Sequence, residues 1–310
     1  MDKDFEGVSR RRLISAALKT DDFKPAAALV AADFGARSHR GRLREENDDH
    51  YLVLRLARHQ NTLLTSLATG DLPTAFDEYA YAAVVADGIG RDGAGSVAAR
   101  LAISTLAHLA LRFGQWNMRI DPRIASEVIE RSKWLYRRTN AAIVQRRHAN
   151  AELAGMATTL TAIYSAGTDL FVAHVGHSRC YLFRDGLLVQ LTRDRTLRER
   201  LSPSPHPTAI GQAIEDAQHV LTHVVGADAN GPGVIVEHFR LFDDDTLLLC
   251  TNGLTDVVHD DTISEVLASR RTQVEQCDVL VDLALAGGSQ DNATAVLVNY
   301  HVPEFQADSD

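Results

Sequence analysis

Strand-like and helix-like patterns in this chain are grouped rather than alternated, and that grouping limits the folds open to it. Between residues 157 and 191 short β-rich runs follow one another: Thr159 to Tyr164, Leu170 to Val175, Ser178 to Phe183 and Leu187 to Leu191. Arg184-Asp185-Gly186 joins the last two, a hairpin signal because Asp-Gly tolerates positive φ. Further strands are predicted at 219–225, 233–240, 246–250 and 293–300, with Tyr51 to Leu54 and Ala82 to Ala86 upstream. Helical periodicity falls elsewhere. Ala98, Ala102, Leu106, Leu109 and Phe113 share one helix face, and a second helix over about 124–148 carries Val128, Leu135 and Ala142 as its stripe. Two more helices are expected at about 262–269 and 272–286. Segregated strands and helices favour an α+β fold with antiparallel sheets over a doubly wound parallel sheet.

No internal repeat and no linker divides the chain, so a single domain over 34–303 is expected. An extension at 1–33 precedes it and an acidic tail at 304–310 follows. Residues 55–80, with the breaker cluster Gly70-Asp71-Leu72-Pro73, read as a loop or excursion. Residues 201–215, with Pro203, Pro205 and Pro207, read as a loop with a short helix.

Hydrophobic residues make up 45% and charged residues 24%, which excludes a disordered or collagen-like chain. A formal net charge of −9 makes the protein a poor general binder of nucleic acid or anionic membrane, and neither is expected as a partner. Arg131, Arg137, Arg138, Arg146 and Arg147 of the second helix read as a solvated face. Cys180, Cys250 and Cys277 are too scattered for a disulfide framework or a zinc site and fit a reduced, cytoplasmic protein. The apolar run Tyr79 to Ala86 is far short of the ~18 residues of a membrane span. Ser9-Arg10-Arg11-Arg12-Leu13 lacks the apolar stretch of an export signal behind it.

The chemistry is concentrated where strands end. Glu45-Glu46-Asn47-Asp48-Asp49 precedes the strand at Tyr51, Asp87-Gly88 ends the run 82–86, Thr251-Asn252-Gly253 ends Leu247 to Cys250, and Ser289-Gln290-Asp291-Asn292 precedes the last strand. An apolar strand that delivers a carboxylate at its tip holds an oxygen ligand at the sheet edge, as hard divalent cations require. Each such tip taken alone is also an ordinary turn.

Seven segments, in order from Ser38 to Tyr300, resemble the motifs of the PPM-type (type 2C) metal-dependent serine/threonine protein phosphatases. Gly41-Arg42-Leu43-Arg44-Glu45-Glu46-Asn47-Asp48-Asp49 is similar to G-x-x-R-x-x-N-E-D, and Val85-Ala86-Asp87-Gly88-Ile89-Gly90 to V-A-D-G-M-G. Gly155-Met156-Ala157-Thr158-Thr159-Leu160 resembles G-M-G-T-T-L, and Val175-Gly176-His177-Ser178-Arg179 resembles V-G-D-S-R. Leu191-Thr192-Arg193-Asp194 matches L-T-x-D, Cys250-Thr251-Asn252-Gly253-Leu254-Thr255-Asp256 resembles C-S-D-G-L-T-D, and Gly288-Ser289-Gln290-Asp291-Asn292 resembles G-S-x-D-N. The resemblance implies a four-layer α/β/β/α sandwich of two antiparallel sheets flanked by helices. It also implies a centre of two divalent cations that activates water against phosphorus. By the same resemblance Asp87 bridges both cations, the Gly88 carbonyl binds one, and Asp49 and Asp291 hold the other with Asp48 beside them. Arg44 grips the substrate phosphate, for which a planar fork of donors is suited.

This chain departs from that pattern at Asn252 and His177, both aspartate in the family, and at Arg91, Asp92 and Arg195 near the expected rim. Asn252 keeps an amide oxygen but loses a charge, and His177 favours a softer ion, so Mn²⁺ is expected over Mg²⁺. The expected function is dephosphorylation of phosphoproteins, opposing a Ser/Thr kinase, with a weakened metal centre. The alternative is a pseudophosphatase that binds a phosphoprotein or partner without efficient turnover.

Overall fold

The structure, a computed structural model, describes residues 29–67, 72–114, 120–197, 199, 220–227 and 231–303. Most of the expected N-terminal extension, the proline-rich stretch 201–215 and the acidic tail lie outside the described residues.

Two antiparallel sheets stack face to face. The first holds β1 (Ala31–His39), β11 (Ala293–His301), β10 (Thr246–Cys250), β7 (Arg179–Arg184) and β8 (Leu187–Gln190), in that spatial order. The second holds β2 (Asp49–Asn61), β3 (Ala75–Ile89), β5 (Leu160–Ala166), β6 (Asp169–Val175) and β9 (Ile235–Arg240), with the short β4 (Ala157–Thr158) paired to the end of β3. Helices α1 (Ala94–Phe113) and α2 (Pro122–Ala149) cover the second sheet. Helices α3 (Asn252–Thr255), α4 (Asp260–Leu267) and α5 (Gln273–Ala286) cover the first. The expected four-layer α+β sandwich is therefore the observed one.

The layering accounts for the strand sequences. Leu247 and Leu249 of β10 and Val296 and Val298 of β11 point between the sheets, where they meet Tyr81, Val85, Ile163 and Val172. Their neighbours Leu248, Cys250, Ala295 and Leu297 face Leu254, Ile263, Cys277 and Leu280 of the helices. A strand buried on both faces reads as an unbroken apolar run, which is why Leu247-Leu248-Leu249-Cys250 shows no alternation. α5 begins at a capping box, Thr272 and Glu275 exchanging side-chain and backbone hydrogen bonds. It packs so closely on β1 that a Cβ at Gly35 would lie 2.2 Å from the Gln273 carbonyl carbon.

Several expectations need correction. The stretch expected as a loop is strand at both ends: β2 and β3 continue as a long hairpin paired from Asp49↔Asp87 out to Asn61↔Ala75, and of the described residues between them 62–67 and 72–74 lie outside the strands. Its outer arms are held by polar cross-strand pairs, Arg58 with Glu78 and His59 with Asp77, and by Arg55 over the Tyr79 ring at 5.1 Å. Charge at those positions hid the strands. No strand forms at 220–225; Leu221 and Val225 make isolated bridges to Thr196 and Thr158 instead. β1 went unread, and it begins at Ala31, so Ala31, Ala32 and Asp33 belong to the sheet rather than to an extension. The buried face of α2 is Ala125, Tyr136, Thr139, Asn140 and Ile143, not the Val128, Leu135 and Ala142 stripe. The polar members earn burial through bonds: the Tyr136 hydroxyl donates to the Ala173 carbonyl at 3.0 Å, and Asn140 exchanges bonds with Gly226 and Ala227. α1, with a mean hydropathy of 1.4, is long and apolar enough to cross a membrane by length and composition alone. In this fold Ala98, Ala99 and Ala102 pack it onto the second sheet.

His174 of β6 is buried, its Nε2–H donating to the Arg193 carbonyl at 3.1 Å and its Nδ1 accepting from the Thr161 hydroxyl at 2.9 Å. Burial pushes its pKa down to about 4, below the ordinary value of 6.5. The unfolded chain takes up this proton first as pH falls, so the contribution is complete above pH 6.5 and is lost on the way to pH 4. Urea unfolding is expected to lose about 2–3 kcal/mol from this residue between pH 7 and pH 4.5, a loss absent from His174→Gln. Equal pH slopes in the two proteins would show that His174 does not carry it.

Candidate metal centre

The β2–β3 register sets Asp49 directly opposite Asp87. Like charges facing each other across an antiparallel pair are destabilising, and here both are largely withdrawn from water. Asp49 is 2% exposed and the Asp87 side chain 13%. Asp49 Oδ2 accepts from the hydroxyls of Thr251 and Thr294, each at 2.7 Å, while Oδ1 is buried with no hydrogen-bond partner. Burial pushes the Asp49 carboxyl up to about 7, with the charges of Asp291 and Asp48 adding to it and the two hydroxyls opposing. Asp87 is also held well above the carboxylate range, by burial first and then by Asp49, Asp291 and Asp48.

Asp48 enters from the loop before β2. Its Oδ1 accepts from the Ser96 backbone N–H at 2.8 Å, in the first turn of α1. Burial raises its pKa and the Ser96 N–H opposes that rise. The approach of α1 to the end of β3 requires glycine on both sides. A Cβ on Gly88 would lie 2.1 Å from the Gly95 carbonyl oxygen, and one on Gly95 2.8 Å from Asp48 Oδ2. Asp291, in the turn after α5, is gripped by Arg44 in a two-pronged ion pair, Nε to Oδ1 at 3.0 Å and Nη2 to Oδ2 at 3.1 Å.

Asn252 opens α3 at the end of β10. Its Nδ2 donates to Asp256 Oδ2 at 3.1 Å, which leaves Oδ1 buried and without a hydrogen-bond partner. Gly253 then passes so close to the 291–292 turn that a Cβ would lie 1.9 Å from the Asn292 carbonyl oxygen. His177 places Nδ1 3.8 Å from Asp87 Oδ2. Arg44, Asp48, Asp87, Gly88, His177, Asn252 and Asp291 all line one cavity of ≈ 780 Å³, and Asp49 lies buried beside Asp87. The expected site residues thus come together. Arg91, Asp92 and Arg195 do not line the cavity; Arg195 instead donates to the Gly233 carbonyl.

Two buried oxygens without hydrogen-bond partners, Asp49 Oδ1 and Asn252 Oδ1, stand among carboxylates that repel one another. That donor set suits hard divalent cations. Among the described residues no three His, Cys, Asp or Glu side chains already converge as a cation's ligands. Arg44 engages Asp291 in this arrangement.

Sequence reasoning gave no role to the residue that ties the site together. Asn292, 4% exposed, donates through Nδ2 to the carbonyls of Arg40 at 2.8 Å and Glu46 at 2.9 Å, and its Oδ1 accepts from the Asp48 N–H at 2.8 Å. Its place beside Asp291 was the one available signal. Thr251, Thr294, Ser96 and Asp256 were likewise unassigned, since a hydroxyl or carboxylate that orients a ligand has no spacing of its own.

The protein phosphatase 2C family model matches residues 73–285, and the chain belongs to that family. Among curated relatives it is 34% identical to the serine/threonine protein phosphatase PstP of Mycobacterium tuberculosis over 215 residues. That match covers 69% of this chain and only 39% of PstP. It is 30% identical over 264 residues to the serine/threonine phosphatase stp of Listeria monocytogenes, covering 84% of this chain and 93% of that protein. The crystal structure of PstP superposes with a TM-score of 0.67 at 30% identity, covering 87% of this chain and 99% of that one. A structure of the PstP catalytic domain in complex with two manganese ions superposes with a TM-score of 0.66 at 30% identity, covering 88% of this chain and 99% of that one.

Because Asn292 satisfies three backbone groups of two segments, Asn292→Ala is expected to destabilise the protein by at least about 2 kcal/mol. Thermal unfolding checks this, and a melting temperature equal to the parent's would refute the stapling role.

Proposed function

We propose that this chain hydrolyses phosphoserine and phosphothreonine monoesters in proteins, with two divalent cations bound between Asp87 and its neighbours. The observation that carries this reading is the convergence of Asp48, Asp87 and Asp291, from three segments, on one cavity that also holds Arg44, with Asp49 buried opposite Asp87. Asp87, the Gly88 carbonyl, Asp49, Asp48, Asp291 and the Asn252 amide oxygen would hold the cations. When bound, the cations lower the pKa of water and neutralise phosphoryl oxygens during in-line displacement. The Arg44 guanidinium, 55% exposed and paired with Asp291 here, would turn its fork to the phosphate oxygens once a cation takes Asp291. Asp256 takes the Asn252 amide nitrogen, so that the amide oxygen would be the atom available to a cation. Such an enzyme opposes a Ser/Thr kinase, and a cytoplasmic site of action fits the reduced cysteines.

Asn252 weakens the centre. One charge fewer at ~4 Å costs on the order of a few kcal/mol of cation binding at an effective dielectric near 20. His177, within reach of Asp87, moves the preference toward Mn²⁺ over Mg²⁺. The same two residues favour a second reading, a pseudophosphatase that binds a phosphoprotein with little turnover.

Hydrolysis of a chromogenic phosphate ester separates the two. Turnover is expected with Mn²⁺, less with Mg²⁺, and none in Asp87→Asn; Asn252→Asp is expected to bind Mn²⁺ at least roughly tenfold more tightly. Turnover that survives Asp87→Asn would sink the enzymatic reading. A parent without turnover that Asn252→Asp revives would establish the pseudophosphatase, provided intact mass shows Asn252 not deamidated.

A further inference from the structure

Outside the metal centre, the outer surface of the α1–α2 layer holds a groove of ≈ 670 Å³ built from two matching stripes. Val97, Arg100, Leu101 and Ser104 of α1 face Ala142, Gln145, Arg146 and Ala149 of α2, each set at the i, i+3, i+4, i+7 spacing of one helix face. The floor is small and apolar and the rim carries two arginines. That is the form of a groove that accepts another segment lengthwise.

Charge specifies the occupant. α1 contains no acidic residue, and the two in α2, Glu127 and Glu130, are paired with Arg123 and Lys133. Arg100 and Arg146 are exposed and make no ion pair among the described residues. A positive groove in a chain of net charge −9 is a local reversal of the surface, and it selects acidic partners. Two exposed arginines over an apolar floor are too few for the many phosphate contacts of nucleic-acid binding, and they suit a short carboxylate-bearing peptide.

Position ties the groove to the catalytic cavity. Val97 follows Ser96, whose N–H holds Asp48, and from Val97 to Ser104 the stripe runs about 10 Å along α1. We infer that the α1–α2 groove docks an acidic segment flanking the phosphoresidue of the protein substrate, with Arg100 and Arg146 meeting its carboxylates and Val97, Leu101 and Ala142 its apolar side. This rests on the phosphatase reading for the word substrate. The binding itself does not depend on turnover.

The test uses the full chain in two assays. Fluorescence anisotropy measures binding of an unphosphorylated Asp/Glu-rich peptide, and steady-state kinetics compares phosphopeptides with acidic and neutral flanks beside an aryl phosphate. Arg100→Glu combined with Arg146→Glu is expected to raise KM for the acid-flanked phosphopeptide roughly tenfold, with kcat and aryl phosphate turnover unchanged. The peptide's Kd should weaken in parallel, and the difference should shrink in high salt. Ala142→Leu, which fills the floor without changing charge, should weaken the same substrate selectively. Peptide binding without any aryl phosphate turnover would keep the groove and remove the phosphatase. Unchanged KM in both variants would overturn the proposal. So would an equal loss on aryl phosphate, which would locate the effect at the metal centre, or binding of anionic vesicles or single-stranded DNA with none of the peptide.

Discussion

The opposition of Asp49 and Asp87 across β2 and β3 is the constraint on which the rest of the molecule turns. Two carboxylates in register, nearly dry, repel each other, and the fold must hold them there by other means. It does so across the sandwich. Thr251 follows β10 and Thr294 belongs to β11, both of the other sheet, and their hydroxyls take one oxygen of Asp49. The apolar layer between the sheets therefore fixes the distance from which those hydroxyls reach. A packing error there would change the position of a carboxylate before it changed the fold.

Much of the architecture could be read from sequence because buried strands announce themselves by unbroken apolar runs, as in β10 and β11. What could not be read shares one cause: positions whose side chains are polar but whose place is decided by a partner far along the chain. Arg58 and His59 look like loop residues until Glu78 and Asp77 stand opposite them. Tyr136 and Asn140 look like the polar side of α2 until the Ala173 and Ala227 carbonyls are in reach. The site divides in the same way. Asp49, Asp87, Asp291 and Arg44 lie in motifs with recognisable order. Asn292 works through backbone carbonyls at Arg40 and Glu46, about which the sequence is silent.

Asn252 and His177 illustrate how a site can lose charge and retain shape. The backbone that carries Asn252 is held by the close pass of Gly253 over Asn292, and its amide is oriented by Asp256. The backbone path does not depend on whether position 252 bears a charge, whereas the bond to Asp256 requires the amide N–H.

The contact between Gly88 and Gly95 leaves no slack between α1 and the end of β3. With Ser96 clasping Asp48 in the same turn, the helix acts as a lever whose short arm is a carboxylate of the centre. A ligand on its outer surface that tilted the helix would shift the carboxylate, and thermodynamic reciprocity would make such a coupling equal in both directions.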